Sequence, residues 1–162
     1  MTTQSEGIER ICRKLNTCDD FHVNGWRWTQ SGGWELEIRV HHPQQDTWHD
    51  VRVFVEKDRN VQKCGVFFER SEETPADLDI ESMVDRINSP TLVGKFMLLK
   101  GTRIAFVSQQ YFFGRFPPVR LLKMLLIEAI IASGAVKDAV EGELTRKQII
   151  QAQPRSSDSR RN

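Results

Sequence analysis

Apolar residues along this chain follow first one period and then another, and the switches between them mark its elements. Ile8, Ile11, Cys12 and Leu15 recur at the i, i+3, i+4, i+7 spacing of one helix face, and Thr3 stands three positions before Glu6, as in a capping box. A short amphipathic helix over about residues 4–16 follows. Phe21–Thr29 then reads as a strand. Trp34, Leu36, Ile38 and Val40 alternate with Glu35, Glu37 and Arg39, the period-two pattern of a sheet with one face in water. Ser31-Gly32-Gly33 supplies the turn between these runs. After a polar loop containing Pro43, Val51, Val53 and Val55 share a face opposite Arg52, and Asp58–Asn60 turns into Val61–Glu69. The first half is therefore expected to be an antiparallel meander.

The pattern changes at Thr74, with Pro75 at the first helical position and Asp77 three residues on, and Ile80, Met83, Val84 and Ile87 form one apolar stripe. Asn88-Ser89-Pro90 stops this second helix, because the residue before a proline is pushed out of helical geometry. Phe96–Leu99 and Thr102–Phe113 read as a hairpin around Gly101, and Pro117-Pro118 open a last helix. In that helix Leu121, Leu122, Met124, Leu125, Leu126, Ile127, Ile130 and Ile131 occupy far more than one stripe. Even two leucine-sized side chains left in water forgo roughly 3–6 kcal/mol, comparable with the whole margin of stability. Coverage by a second copy or by another protein is expected. The aromatic run Tyr111, Phe112, Phe113 and Phe116 leads into it, so the expected protein interface is Tyr111, Phe113, Phe116, Leu121, Leu122, Leu125 and Ile127.

Composition narrows the class. The 162 residues suit one domain, with 39% apolar and 28% charged residues. The balance of 23 Lys plus Arg against 22 Asp plus Glu excludes a disordered or polybasic binder. The expected class is α+β, an antiparallel sheet with N-terminal, middle and C-terminal helices. Residues 1–144 form the domain, and 145–162 form a basic, flexible tail with Arg146, Lys147, Arg155, Arg160 and Arg161 against Asp158. Val119–Val136 is an apolar segment, yet Arg120, Lys123 and Glu128 would each cost roughly 2.5–3.5 kcal/mol at a bilayer centre, so a buried helix is expected rather than a membrane span. Cys12, Cys18 and Cys64 lack Cys-x-x-Cys spacing, and Met1–Arg10 has no apolar run. A cytoplasmic chain with reduced thiols is the expectation.

Candidate chemistry is sparse. Trp26 and Trp28 share a strand face next to Trp34, and with Arg27 and Arg39 they could stack single-stranded nucleic acid at about 1–3 kcal/mol per base. Against this, Arg27, Arg39 and Arg52 are outnumbered between Phe21 and Val55 by Glu35, Glu37, Asp46 and Asp50, which disfavours phosphate. His41, His42 and His49 crowd one loop with Asp46 and Asp50, but adjacent strand histidines point to opposite faces, so solvated loop histidines are expected and no metal. Gly-x-Ser-x-Gly, His-Glu-x-x-His and a Gly-Lys-Ser/Thr loop are absent; Gly94-Lys95 is followed by Phe96. Cys12 lies on the apolar stripe, where burial makes a thiol inert. No catalytic residue and no cofactor are assigned, and the chain is not expected to be an enzyme.

The helix Ile80–Asn88, the hairpin Phe96–Leu99 with Gly101 and Ile104, and the last helix Val119–Ile131 together resemble the type III secretion chaperone-like group, including the bacterial YbjN-type proteins described as sensory transduction regulators. The likeness in element order spans about residues 4–140 and departs from the group at the extra run Phe21–Thr29 and at the basic tail after Glu143. It implies a non-enzymatic, often dimeric domain that holds another polypeptide or takes part in regulation, with itself and an unidentified protein as partners. Two alternatives stand beside it. One is a nucleic-acid-binding regulator using the tryptophan strands and basic tail. The other is a small-molecule sensor using the space between sheet and last helix.

Overall fold

The computed structural model describes residues 3–70, 78–88, 93–100 and 103–152. Helix α1 (Gln4–Leu15) leads into strands β1 (Phe21–Trp28), β2 (Trp34–His42), β3 (Thr47–Asp58) and β4 (Val61–Glu69). Helix α2 (Ile80–Ile87), strands β5 (Lys95–Leu99) and β6 (Arg103–Phe112), and helix α3 (Val119–Ala152) complete the chain. The strands form one six-stranded sheet in the order β1-β2-β3-β4-β6-β5, with every neighbouring pair antiparallel. This is the α+β class expected from the alternating pattern, with the first four strands as a meander.

Register places the apolar alternation on one face. Trp34, Leu36 and Ile38 oppose Val55, Val53 and Val51, and Val55 and Val53 oppose Cys64 and Val66 in turn. All of these residues are buried. All three helices lie over this face: α3 contacts β2, β3, β4 and β6, while α1 sits on the β1 side and α2 on the β5 side. Helix α1 begins as its capping box requires, with Thr3 Oγ1 accepting from the Glu6 amide and the Thr3 amide donating to Glu6 Oε2 at 2.7 Å. Its stripe of Ile8, Ile11, Cys12 and Leu15 is buried. Two glycines allow close approach: a Cβ on Gly7 would strike the Phe116 ring, and one on Gly134 of α3 would strike the His42 imidazole. Glu128 of α3 accepts from the Gly94 amide at 2.5 Å and from Ser108 Oγ at 2.7 Å, fixing the helix over the β5–β6 side of the sheet.

On each sheet edge an asparagine at a helix C-cap engages the backbone of one residue. Asn16, the C-cap of α1, accepts from the Val23 amide of edge strand β1 at 2.8 Å. Asn88, the C-cap of α2, accepts from the Phe96 amide at 2.7 Å and donates to the Phe96 carbonyl at 2.9 Å. Its carboxamide thus takes the place of a neighbouring strand along β5, as an edge strand needs if it is not to recruit another chain.

Three expectations change. Strand β3 begins at Thr47 rather than Val51, so the polar loop shrinks to a tight turn at Pro43–Asp46, in which Asp46 has φ 47. The histidines assigned to a solvated loop therefore stand in paired strands. Asp79 caps α2 through the Ser82 amide, and the expected Thr74-Pro75-Asp77 start, Ser89-Pro90 and Gly101 lie outside the described residues. Finally, α3 runs on through the expected tail as far as Ala152, with residues 148–152 exposed, because no breaker precedes Pro154. The remainder of that tail, 153–162, lies outside the described residues.

Replacing Asn88 with Ala leaves the Phe96 amide and carbonyl without their partners. The expected result is a loss of about 1–3 kcal/mol in urea denaturation, together with faster hydrogen exchange at the Phe96 amide.

Candidate interaction surface

Helix α3 lies between α1 and α2 and over the sheet, so its apolar positions sort by what covers them. Leu122, Leu125, Leu126, Ala129, Ala132, Val136 and Val140 are buried, and Leu121, Ile130 and Ala135 are half-buried against the same core. Along 119–140 one apolar line remains in water, and farther on Ile149 and Ile150 are exposed as well. Met124 is 59%, Ile127 50% and Ile131 54% exposed. Spacings of three and four residues keep these side chains on one side of the helix.

The expected interface is divided by this geometry. Ile127 belongs to the exposed line and Phe113 is exposed at the end of β6. Leu122 and Leu125 are interior residues, contrary to expectation, because they face the sheet. Phe116 and Leu121 pack against the core, Phe116 over Gly7. Tyr111 is exposed but lies on the sheet face away from the helices, pairing with Lys63 and donating to Asp58 Oδ2 at 3.0 Å. Sequence reasoning placed neither Met124 nor Ile131 at the surface. Charge spacing carried the signal: Arg120 is seven residues before Ile127 and Asp138 seven after Ile131, so both mark the wet line.

The open sheet face is a lattice of opposite charges. Arg27 pairs with Glu35 and Glu37, Arg39 lies 3.8 Å from Asp50, Lys63 2.8 Å from Glu56 and Arg103 2.7 Å from Glu69. Arg52 stands opposite Glu37 and over the Phe67 ring. Phosphate would have to displace a carboxylate at these pairs, which works against the nucleic-acid alternative for this face. Trp26 and Trp28 do meet edge to face, their ring centroids 5.4 Å apart, and Trp28 pairs with Trp34. Trp26, however, turns toward α1, with Nε1 donating to Glu9 at 2.6 Å, while Trp34 is buried. The tryptophans are thus not a shared platform.

Between sheet and α3, Leu122, Leu125, Leu126 and Ala129 join the buried core with Val53, Val66 and Phe106. Hollows of about 370 and 420 Å³ lie on the opposite face, the first beside Glu37, Arg52 and Phe67 and the second beside His22, Arg39 and Trp48. Among the described residues, no group of three or more His, Cys, Asp and Glu is arranged to hold a metal ion, and no helix is long and apolar enough to cross a membrane. Burial pushes the Cys12 and Cys64 thiols up to about 11, while Cys18 is half-buried. No family model, curated protein or solved structure matches the chain.

His41 and His42 point to opposite faces as strand alternation requires. His41 bridges two carboxylates, Nδ1 at 3.0 Å from Asp20 and Nε2 at 2.9 Å from Asp46, which ties the α1–β1 connection to the β2–β3 turn. These bonds, that to Asp46 first, raise its pKa above the ordinary 6.5. His49 is half-buried near His42 and Lys137, and desolvation lowers its pKa.

Two predictions follow from these groups. A raised folded pKa means that the His41 contribution is complete below the unfolded value near 6.5 and disappears as pH rises through the folded value. Urea denaturation of the wild type and of His41→Asn should therefore show a stability difference that narrows as pH climbs through that window. In native thiol titration Cys18 should react fast, with Cys12 and Cys64 reacting at the rate of unfolding.

Proposed function

We propose that this chain is a non-enzymatic protein-interaction module of the cytoplasm, chaperone-like or regulatory, whose working surface is the exposed line of α3. The observation that carries the reading is the contrast on a single helix. Leu122, Leu125 and Leu126 are sealed inside, whereas Met124, Ile127 and Ile131 stand half or more in water. Large aliphatic side chains in a row on a wet helix face are the usual mark of a surface that is covered in use. The rest of the exterior supports this. Its edges carry asparagine caps at Val23 and Phe96, and its open sheet face pairs its own charges. The resemblance in element order to secretion chaperone-like and YbjN-type proteins enters here as part of the same proposal. So does the compartment, which rests on free cysteines.

Leu125→Asp and Ile127→Asp separate interior from surface. The first buries a carboxylate in the core and is expected to cost 4 kcal/mol or more, on the order of unfolding the chain. The second is expected to shift stability by about 0.5 kcal/mol or less in urea denaturation. With the two proteins immobilised at equal density in native lysate, the wild type should retain protein, its own copies included, that Ile127→Asp does not. Equal retention by both would overturn the reading.

A further inference from the structure

We infer that the occupant of this line is a second copy of the chain, with its α3 lying antiparallel across the first. The inference rests on the reading above, that the line is an interaction surface, and names the partner. In order along α3 the line reads Arg120, Met124, Ile127, Ile131, Ala135, Asp138. It is positive at one end, apolar through the middle and negative at the other.

Such a line is its own complement under a two-fold axis. Placing the axis midway between Ile127 and Ile131 sets Ile127 of each copy on Ile131 of the other. Met124 then faces the small, half-buried Ala135, which lets the helices close, and Arg120 faces Asp138 at both ends. A single register thus buries every exposed aliphatic side chain of the line and neutralises both terminal charges. Parallel packing instead sets Arg120 on Arg120 and Asp138 on Asp138, and like charges in contact reject it. The charges are available for the role. Among the described residues Arg120 has no ion-pair or hydrogen-bond partner, and Asp138 accepts one long contact from Gln45 Nε2 at 3.4 Å. Pairing through the sheet is blocked at the strand positions that Asn16 and Asn88 occupy. The line is about 27 Å long at 1.5 Å per residue, a small contact, so self-association in the micromolar range is expected.

Sedimentation of the purified chain at micromolar concentration, with Arg120→Glu, Asp138→Arg and the double reversal, tests this, circular dichroism confirming that each variant is folded. The expected result is a dimer that each single reversal weakens by about tenfold or more and that the double reversal restores, since it exchanges the charges of both pairs. A dimer indifferent to the single reversals, or not restored by the double one, overturns the antiparallel arrangement. A monomeric wild type that still retains lysate protein through Ile127 overturns self-pairing and leaves the interaction surface standing. A monomer whose lysate capture ignores Ile127 removes both.

Discussion

The constraint on which this structure turns is the position of α3, laid over the dry face of a sheet whose other face is wet. A helix in that position must be apolar toward the sheet and on both flanks, where α1 and α2 press against it. Each Leu or Val it seals away, such as Leu122, Leu126 and Val136, contributes about 1.5–3 kcal/mol. Over the sheet a narrow line of its circumference is left for water, and the middle of that line, between Arg120 and Asp138, is Met124, Ile127 and Ile131 rather than lysines or glutamates. The same packing that stabilises the domain therefore sets three exposed aliphatic side chains in a row on one side of this helix.

A one-sided sheet has two other ways of recruiting a neighbour, and both are blunted here by short polar side chains. Asn16 and Asn88 each end a helix and then turn to the backbone of an edge strand, so one residue type terminates the helix and occupies one pairing position of the edge. On the open face, cross-strand pairs such as Arg27–Glu35 and Lys63–Glu56 hold each other's charges. Exposed pairs of this kind add little to stability. Their effect is on specificity, because a charged ligand gains nothing from a partner already engaged.

Most of the architecture was legible because one rule governed each stretch. Trp34 to Val40 alternate strictly, so register and buried face could be read together, and Thr3 with Glu6 marked the start of α1 to the residue. Two features resisted. Thr47, Trp48 and His49 carry no apolar alternation, since their inner positions lie where the sheet meets Gly134 and Lys137 of α3 rather than a greasy surface, so β3 looked shorter than it is. Within α3, periodicity could not separate Leu125 from Ile127. Both are aliphatic, and what distinguishes them is which neighbouring element stands opposite, a tertiary fact. Only the sparse charges Arg120 and Asp138 betray the wet line from sequence.

The turn that joins β2 to β3 links these themes. On its outer side His41 holds Asp20 and Asp46 and lies against the Trp48 ring, an arrangement that favours the imidazolium. On its inner side His42 meets Gly134, and the half-buried His49 stands near Lys137, where desolvation favours the neutral His49 ring. The two faces of one hairpin therefore respond to acid in opposite senses: below the ordinary histidine range the outer clamp is complete while the inner contact opposes protonation. Gln45 of the same turn reaches Asp138, the negative end of the α3 line. The hairpin tip thus meets α3 at that end of the line, next to Lys137, whose charge adds to the desolvation that disfavours protonation of His49.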